Sequence, residues 1–185
     1  MALEEIALAF WFLLPAYAAN PMAVVFGGGT PIDFGRSLRD GHRVLGDGKT
    51  WRGLAGGVAS GLLLGILLTL LGSFLSPRLA FGDWPGVLRV LVILPVGALL
   101  GDLAGAFVKR RLGKVRGERA PGLDQYDFLL GTLLFLLLLE RDWWFLRYWT
   151  GDAIFGLAFI ILITPALHRV VNVIGYRWGH KREPW

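Results

Sequence analysis

The chain reads as an all-α polytopic membrane protein of about five transmembrane helices, and three observations predict it. Of its 185 residues, 55% are hydrophobic and only 18% charged. The apolar residues fall in long blocks, with the charges clustered between them. The basic residues alternate in number from one connecting segment to the next. That composition excludes a disordered chain, and the absence of Cys excludes a disulfide-stapled domain and a thiolate metal site.

A spanning helix needs ~20 mainly apolar residues. Segments 6–26, 54–75, 87–108 and 153–174 meet that requirement, and 54–75 carries no charge. Between the third and the last lies a purely apolar run at 128–139, too short at ~1.5 Å per residue for a ~30 Å core. It spans if the helix covers 123–146. One integral-membrane domain over 1–185 follows. The stretch before Ala16-Tyr17-Ala18-Ala19 resembles a signal peptide, but Glu4 and Glu5 stand where a positive n-region is required, so it is expected to be the first span.

Lys and Arg number five in 27–53, one in 76–86, six in 109–122, two in 140–152 and four from His168 onward. Five spans with an outside N-terminus produce that alternation, and put the basic loops and the tail in the cytoplasm. Trp143, Trp144, Trp149, Trp178 and Trp185 suit interface anchors, and His180, Lys181 and Arg182 suit lipid head groups.

Two glycine ladders recur every four residues: Gly53, Gly57, Gly61 and Gly65 in the second span, and Gly97, Gly101 and Gly105 in the third. Small residues on one face let helix backbones approach closely. They suit an internal seam or a homodimer. Pro95 is expected to kink the third span.

Asp102 lies inside that span, about 22 Å from its start at ~1.5 Å per residue. An ionisable group there is expensive and marks a functional candidate. Asp124 and Asp127 share one side of the first turn of the fourth helix. Acids at a helix start also serve the helix dipole, and a lone intramembrane acid also serves an ion pair. Three carboxylates meeting at one end, with substrate phosphates, suit Mg²⁺. The three His are scattered and no Cys is present, so a zinc site is not expected.

Gly46-Asp47-Gly48-Lys49-Thr50-Trp51-Arg52-Gly53 sits just ahead of the second span. Its glycines, amides, Lys49 and Thr50 suit a polyphosphate cradle. It is not a Walker loop, because Arg43 stands where the first glycine belongs. With Lys109-Arg110-Arg111 after the third span, the set points to phosphoryl or nucleotidyl transfer.

Asn20-Pro21, the 27–29 glycines, Pro31-Ile32-Asp33, Asp40-Gly41-x-Arg43, the 46–53 segment, Gly101-Asp102, Lys109-Arg110-Arg111 and Gly122-Leu123-Asp124-Gln125-x-Asp127 together resemble the archaeal CDP-archaeol synthase family. That family is similar to phosphatidate cytidylyltransferases, but Gln125 replaces an expected Arg and their His-Gly-Gly is missing. The resemblance implies transfer of CMP from CTP to 2,3-bis-O-geranylgeranylglyceryl phosphate, with Mg²⁺ required. On that reading Asp102, Asp124 and Asp127 hold the metal. Arg43, Asp47, Gly48, Lys49, Thr50, Lys109 and Arg110 bind the CTP phosphates, Lys49 also acting in catalysis. The partners implied are CTP, an isoprenoid ether lipid phosphate and the bilayer, with no nucleic acid. The expected location is the cell membrane, with the site facing the cytoplasm. An anion transporter or channel, or a non-enzymatic lipid-binding protein, would use the same basic loops.

Overall fold

The computed structural model describes residues 2–115, 117–179 and 183. Arg116 and the tail residues His180, Lys181, Arg182 and Trp185 lie outside them. The helices are α1 (Ala2–Val25), α2 (Trp51–Leu75), α3 (Val87–Arg111), α4 (Leu123–Leu139), α5 (Arg141–Tyr148) and α6 (Ala153–Arg177), with a 3₁₀ turn at Pro77–Leu79. No strand forms among the described residues, only isolated bridges Pro31–Thr50 and Ser37–Arg43. The protein is an all-helical polytopic membrane protein. Four helices, α1, α2, α3 and α6, are long and apolar enough to cross a membrane.

The fourth expected span is corrected. The helix does not run through 123–146 but stops after 17 residues at Leu139, and α5 follows as a separate eight-residue helix. Glu140 breaks the run with backbone angles of −136° and 53°. Its carboxylate accepts from Arg89 Nε of α3 at 2.9 Å. Glu140 closes α4 and opens α5 at once, its N–H donating to the Leu136 carbonyl and its own carbonyl accepting from Trp144 N. Leu130, Leu134 and Leu138 are exposed along one face of α4, as lipid contact requires.

The glycine ladders are internal seams. A Cβ on Gly53 or Gly57 would stand 2.7 Å from the Ala23 or Ala19 carbonyl of α1, and one on Gly61 would stand 2.5 Å from Pro95. Pro95 therefore fills a glycine notch, within a helix that runs unbroken from Val87 to Arg111. The second ladder faces α4: Cβ atoms on Gly97, Gly101 and Gly105 would meet Thr132, the Asp127 carbonyl and the Asp127 side chain. Both ladders are thus spent inside the chain, not on a second copy.

Gly101→Ala would drive a methyl into the Asp127 backbone and the Gly131 Cα, the latter 2.9 Å away. Overpacking of this kind costs ~1–3 kcal/mol. The variant should unfold at lower temperature in detergent, measured by a thermal melt.

The two ends of the bundle are tied differently. At one end, Arg78 pairs with Glu4 and, at 2.8 Å, with Glu5. Trp11 and Trp143 donate to the carbonyls of Leu79 and Phe81 at 3.0 and 2.6 Å. Trp144 is buried and Trp143 packs on Phe12, so these two belong to the core, not to a lipid interface. Trp149 and Trp178 remain exposed. At the other end, residues 26–50 cover the bundle between α1 and α2. They are anchored to α3, where Arg111 pairs with Asp40 at 2.5 Å and Arg110 Nε donates to the Leu45 carbonyl at 3.3 Å.

Candidate active site

The 26–50 segment folds around Asp33, a buried carboxylate in an otherwise polar loop. Its Oδ1 accepts from Gly35 N at 3.1 Å and Arg43 Nη2 at 2.7 Å. Its Oδ2 accepts from Arg43 Nε at 3.2 Å, Leu45 N at 3.0 Å and Gly46 N at 2.9 Å. The Arg43 guanidinium, opposed by burial and helped by the amides, holds this carboxyl well below the ordinary range. The bidentate pair fixes the loop, and Gly46, at φ +103°, supplies the left-handed turn that aims its amide at Asp33.

That turn delivers Gly48, Lys49 and Thr50 to the start of α2. Thr50 caps the helix, its Oγ1 accepting from Gly53 N at 3.1 Å. Lys49 reaches across to α3 and pairs with Asp102. Two turns further along α3, Lys109 pairs with Asp124 of α4 at 2.8 Å, and Asp124 Oδ2 also accepts from Ala120 N at 2.7 Å. Asp127 is buried against Gly105, with Oδ1 accepting from Phe128 N at 2.7 Å. The glycine seam between α3 and α4 is what brings this acid beside α3.

These groups line one cavity of about 420 Å³ at the basic-loop end of the bundle. Its walls come from α1, α2, α3, α4 and α6. Gly48, Lys49, Thr50, Asp102, Asp124 and Asp127 form its polar side. The size suits a small-molecule site, and the mixed lining suits one polar and one apolar reactant. Among the described residues, no three acidic or His side chains form a ready-made metal cage. The donor chemistry does fit magnesium: oxygen ligands only, from two adjoining helices, with room for phosphate oxygens to complete the shell.

Four of the expected residues stand outside the cavity lining. Arg43 holds Asp33 and, at 2.7 Å, the exposed Asp47. Lys109 reaches the site through Asp124. Arg110 Nε clamps the first basic loop, and its Nη1 donates to the Lys114 carbonyl of the second. Gln125 accepts from Gly122 N at the start of α4.

Sequence reasoning missed the opposite wall. There α1 contributes Tyr17 and Asn20, and α6 contributes His168 and Asn172. Tyr17 donates to Thr164 Oγ1 at 2.6 Å, since the single Thr164 proton goes to the Ile160 carbonyl. Asn172 Nδ2 lies 3.2 Å from both ring nitrogens of His168. The available signal was the four-residue spacing of His168 and Asn172 inside an apolar span, the criterion that picked out Asp102.

Known proteins resemble this chain along its length. The family model described as CarS-like, CDP-archaeol synthase, matches residues 2–185. The CDP-archaeol synthase of Pyrococcus horikoshii is 43% identical over 188 residues, covering 100% of both chains. That of Archaeoglobus fulgidus is 44% identical, covering 99% of both. A solved intramembrane enzyme for archaeal membrane lipids biosynthesis superposes with a TM-score of 0.65 at 40% identity, over 85% of this chain and 90% of that one. The family model and these relatives cover the chain nearly end to end, and the chain belongs to the CDP-archaeol synthase family.

Proposed function

We propose that the protein transfers CMP from CTP to 2,3-bis-O-geranylgeranylglyceryl phosphate, giving CDP-archaeol and pyrophosphate. One observation carries this reading. Three carboxylates and a lysine share a single cavity with apolar side chains from α1 and α6. Such a cavity takes a polyanionic nucleotide on one side and a lipid on the other.

An oxygen of the lipid phosphate attacks the α-phosphorus of CTP. The new P–O bond forms as the bond to the β-phosphate bridging oxygen breaks, and pyrophosphate leaves with the electron pair. The attacking phosphate is already an anion at neutral pH, so no strong general base is required. In-line placement and relief of charge repulsion are required instead. Lys49 meets the nucleotide phosphates, and the Gly48 backbone allows them close approach. Lys109 and Arg110 hold Asp124 and the two basic loops in place around them. Asp102, Asp124 and Asp127 would hold Mg²⁺, which when bound neutralises phosphate charge. The concentration of Lys and Arg in the two loops at this end supports a cytoplasmic site in the cell membrane.

Purified protein in detergent with CTP, the lipid phosphate and Mg²⁺ should release pyrophosphate and form the CDP-lipid. Omitting the lipid or the metal should each abolish release. Pyrophosphate released at full rate without lipid would overturn the reading.

A further inference from the structure

We propose that His168 and Asn172 of α6, with Asn20 of α1, form the subsite that receives the phosphate of the lipid acceptor. This rests on the nucleotidyl-transfer reading and names a part of the site that reading leaves open.

Two anions must meet in this cavity, and the attacking one must enter from the side away from the leaving pyrophosphate. The lysine that lines the cavity, Lys49, lies on the α2–α3 side with the acids. The α1–α6 wall is mostly apolar, with Met22, Val25, Leu167, Val171 and Ile174 among its lining. A prenyl chain fits that wall, and its phosphate end then stands among whatever polar groups the wall holds.

The wall holds few, and they have a cost. Asn172 is only 3% exposed, in the last third of a helix long enough to span a membrane. Polar side chains in such helices mark ligand paths more often than packing. The Asn172 amide lies against the His168 imidazole, 3.2 Å from each ring nitrogen. Asn20 Oδ1 is buried with no hydrogen-bond partner. Rotating that amide by half a turn puts its NH₂ donor in the same place. An orphaned buried polar atom in a cavity lining is what a missing ligand leaves behind. Imidazole and amide donors on an apolar wall suit an oxyanion held by hydrogen bonds, without the competing charge of another lysine.

The chief rival is that the same groups read the cytosine base. Kinetics separate the two. Pyrophosphate release is followed in mixed micelles, varying lipid phosphate at saturating CTP and the reverse. His168→Ala should raise KM for the lipid phosphate at least about tenfold, as loss of a hydrogen bond to a charged group predicts. KM for CTP should stay within about twofold. Asn172→Asp keeps the shape and adds a negative charge, so it should raise the lipid KM further. His168→Gln, which restores an N–H donor, should recover part of the loss. Protection of each variant by CTP against thermal unfolding reports whether the fold and the nucleotide side are intact.

A rise in KM for CTP matching that for lipid, or an unchanged lipid KM in a variant that CTP still protects, overturns the proposal. Loss of CTP protection in His168→Ala and His168→Gln alike also overturns it, because the pair would then be structural. A wild-type protein that releases no pyrophosphate fails the nucleotidyl-transfer reading instead, which is a separate result.

Discussion

Asp102→Asn is expected to reduce pyrophosphate release by at least about a hundredfold, with the fold intact. The substitution is nearly isosteric, and Asp102 is partly open to the cavity, so little packing is lost. What changes is charge. Lys49 loses its anionic partner, and the site loses one of three carboxylates. Removing a single preorganised electrostatic group from a reaction centre typically costs ~10²–10³ in rate. The response to metal should distinguish this from simple damage. Raising Mg²⁺ should recover part of the Asp102→Asn activity, whereas Lys49→Met should lose activity that Mg²⁺ does not restore. Both variants should melt within a few degrees of the unchanged protein. Wild-type turnover by Asp102→Asn would remove Asp102 from the reaction.

Asp33→Asn should do its damage from outside the cavity. Four backbone and side-chain partners converge on that carboxylate, and Arg43 would keep only Asp47. The charge left behind on Arg43 is partly solvated, its side chain being 28% exposed, so the damage comes chiefly from the loop amides that lose their acceptor. The 26–50 segment should become sensitive to limited proteolysis, and activity should fall with it, since this loop carries Gly48 and Lys49. The pH dependence has a definite sign. The folded-state value of Asp33 is depressed, so its contribution is fully present above the unfolded value near ~3.9 and is lost as pH falls below it. Protease resistance of the loop should therefore be flat from pH 7 to about 4 and decline only under stronger acid. A decline already under way at pH 6 would assign the loop's stability to another group.

Much of this arrangement was legible in the sequence because a membrane makes charge conspicuous. Asp102 stood out inside an apolar block, and the glycine ladders announced where α2 and α3 would meet their neighbours. The fourth span was not legible. Nothing in the apolar run marks the break at Glu140, whose partner Arg89 lies 51 residues earlier and is adjacent only once α3 and α4 pack. Asp33 was hidden for a related reason. A loop has no periodicity to betray which of its acids turns inward, and Arg43 was expected on the CTP phosphates, not on Asp33. His168 was weighed as one of three scattered histidines, when its position along α6 was the informative fact. Trp143 and Trp144 were read as membrane-surface residues by type, although α5 turns them into the core.

The lysine of the cavity, Lys49, is already taken by Asp102, and Lys109 just outside it is held by Asp124. A stray inorganic phosphate or sulfate therefore offers Lys49 nothing that it does not have, and would strand an uncompensated carboxylate behind it. Only a visitor that also supplies something for the displaced acid can settle there. Such built-in self-neutralisation makes the pocket discriminating among anions, despite the dense positive charge at its rim.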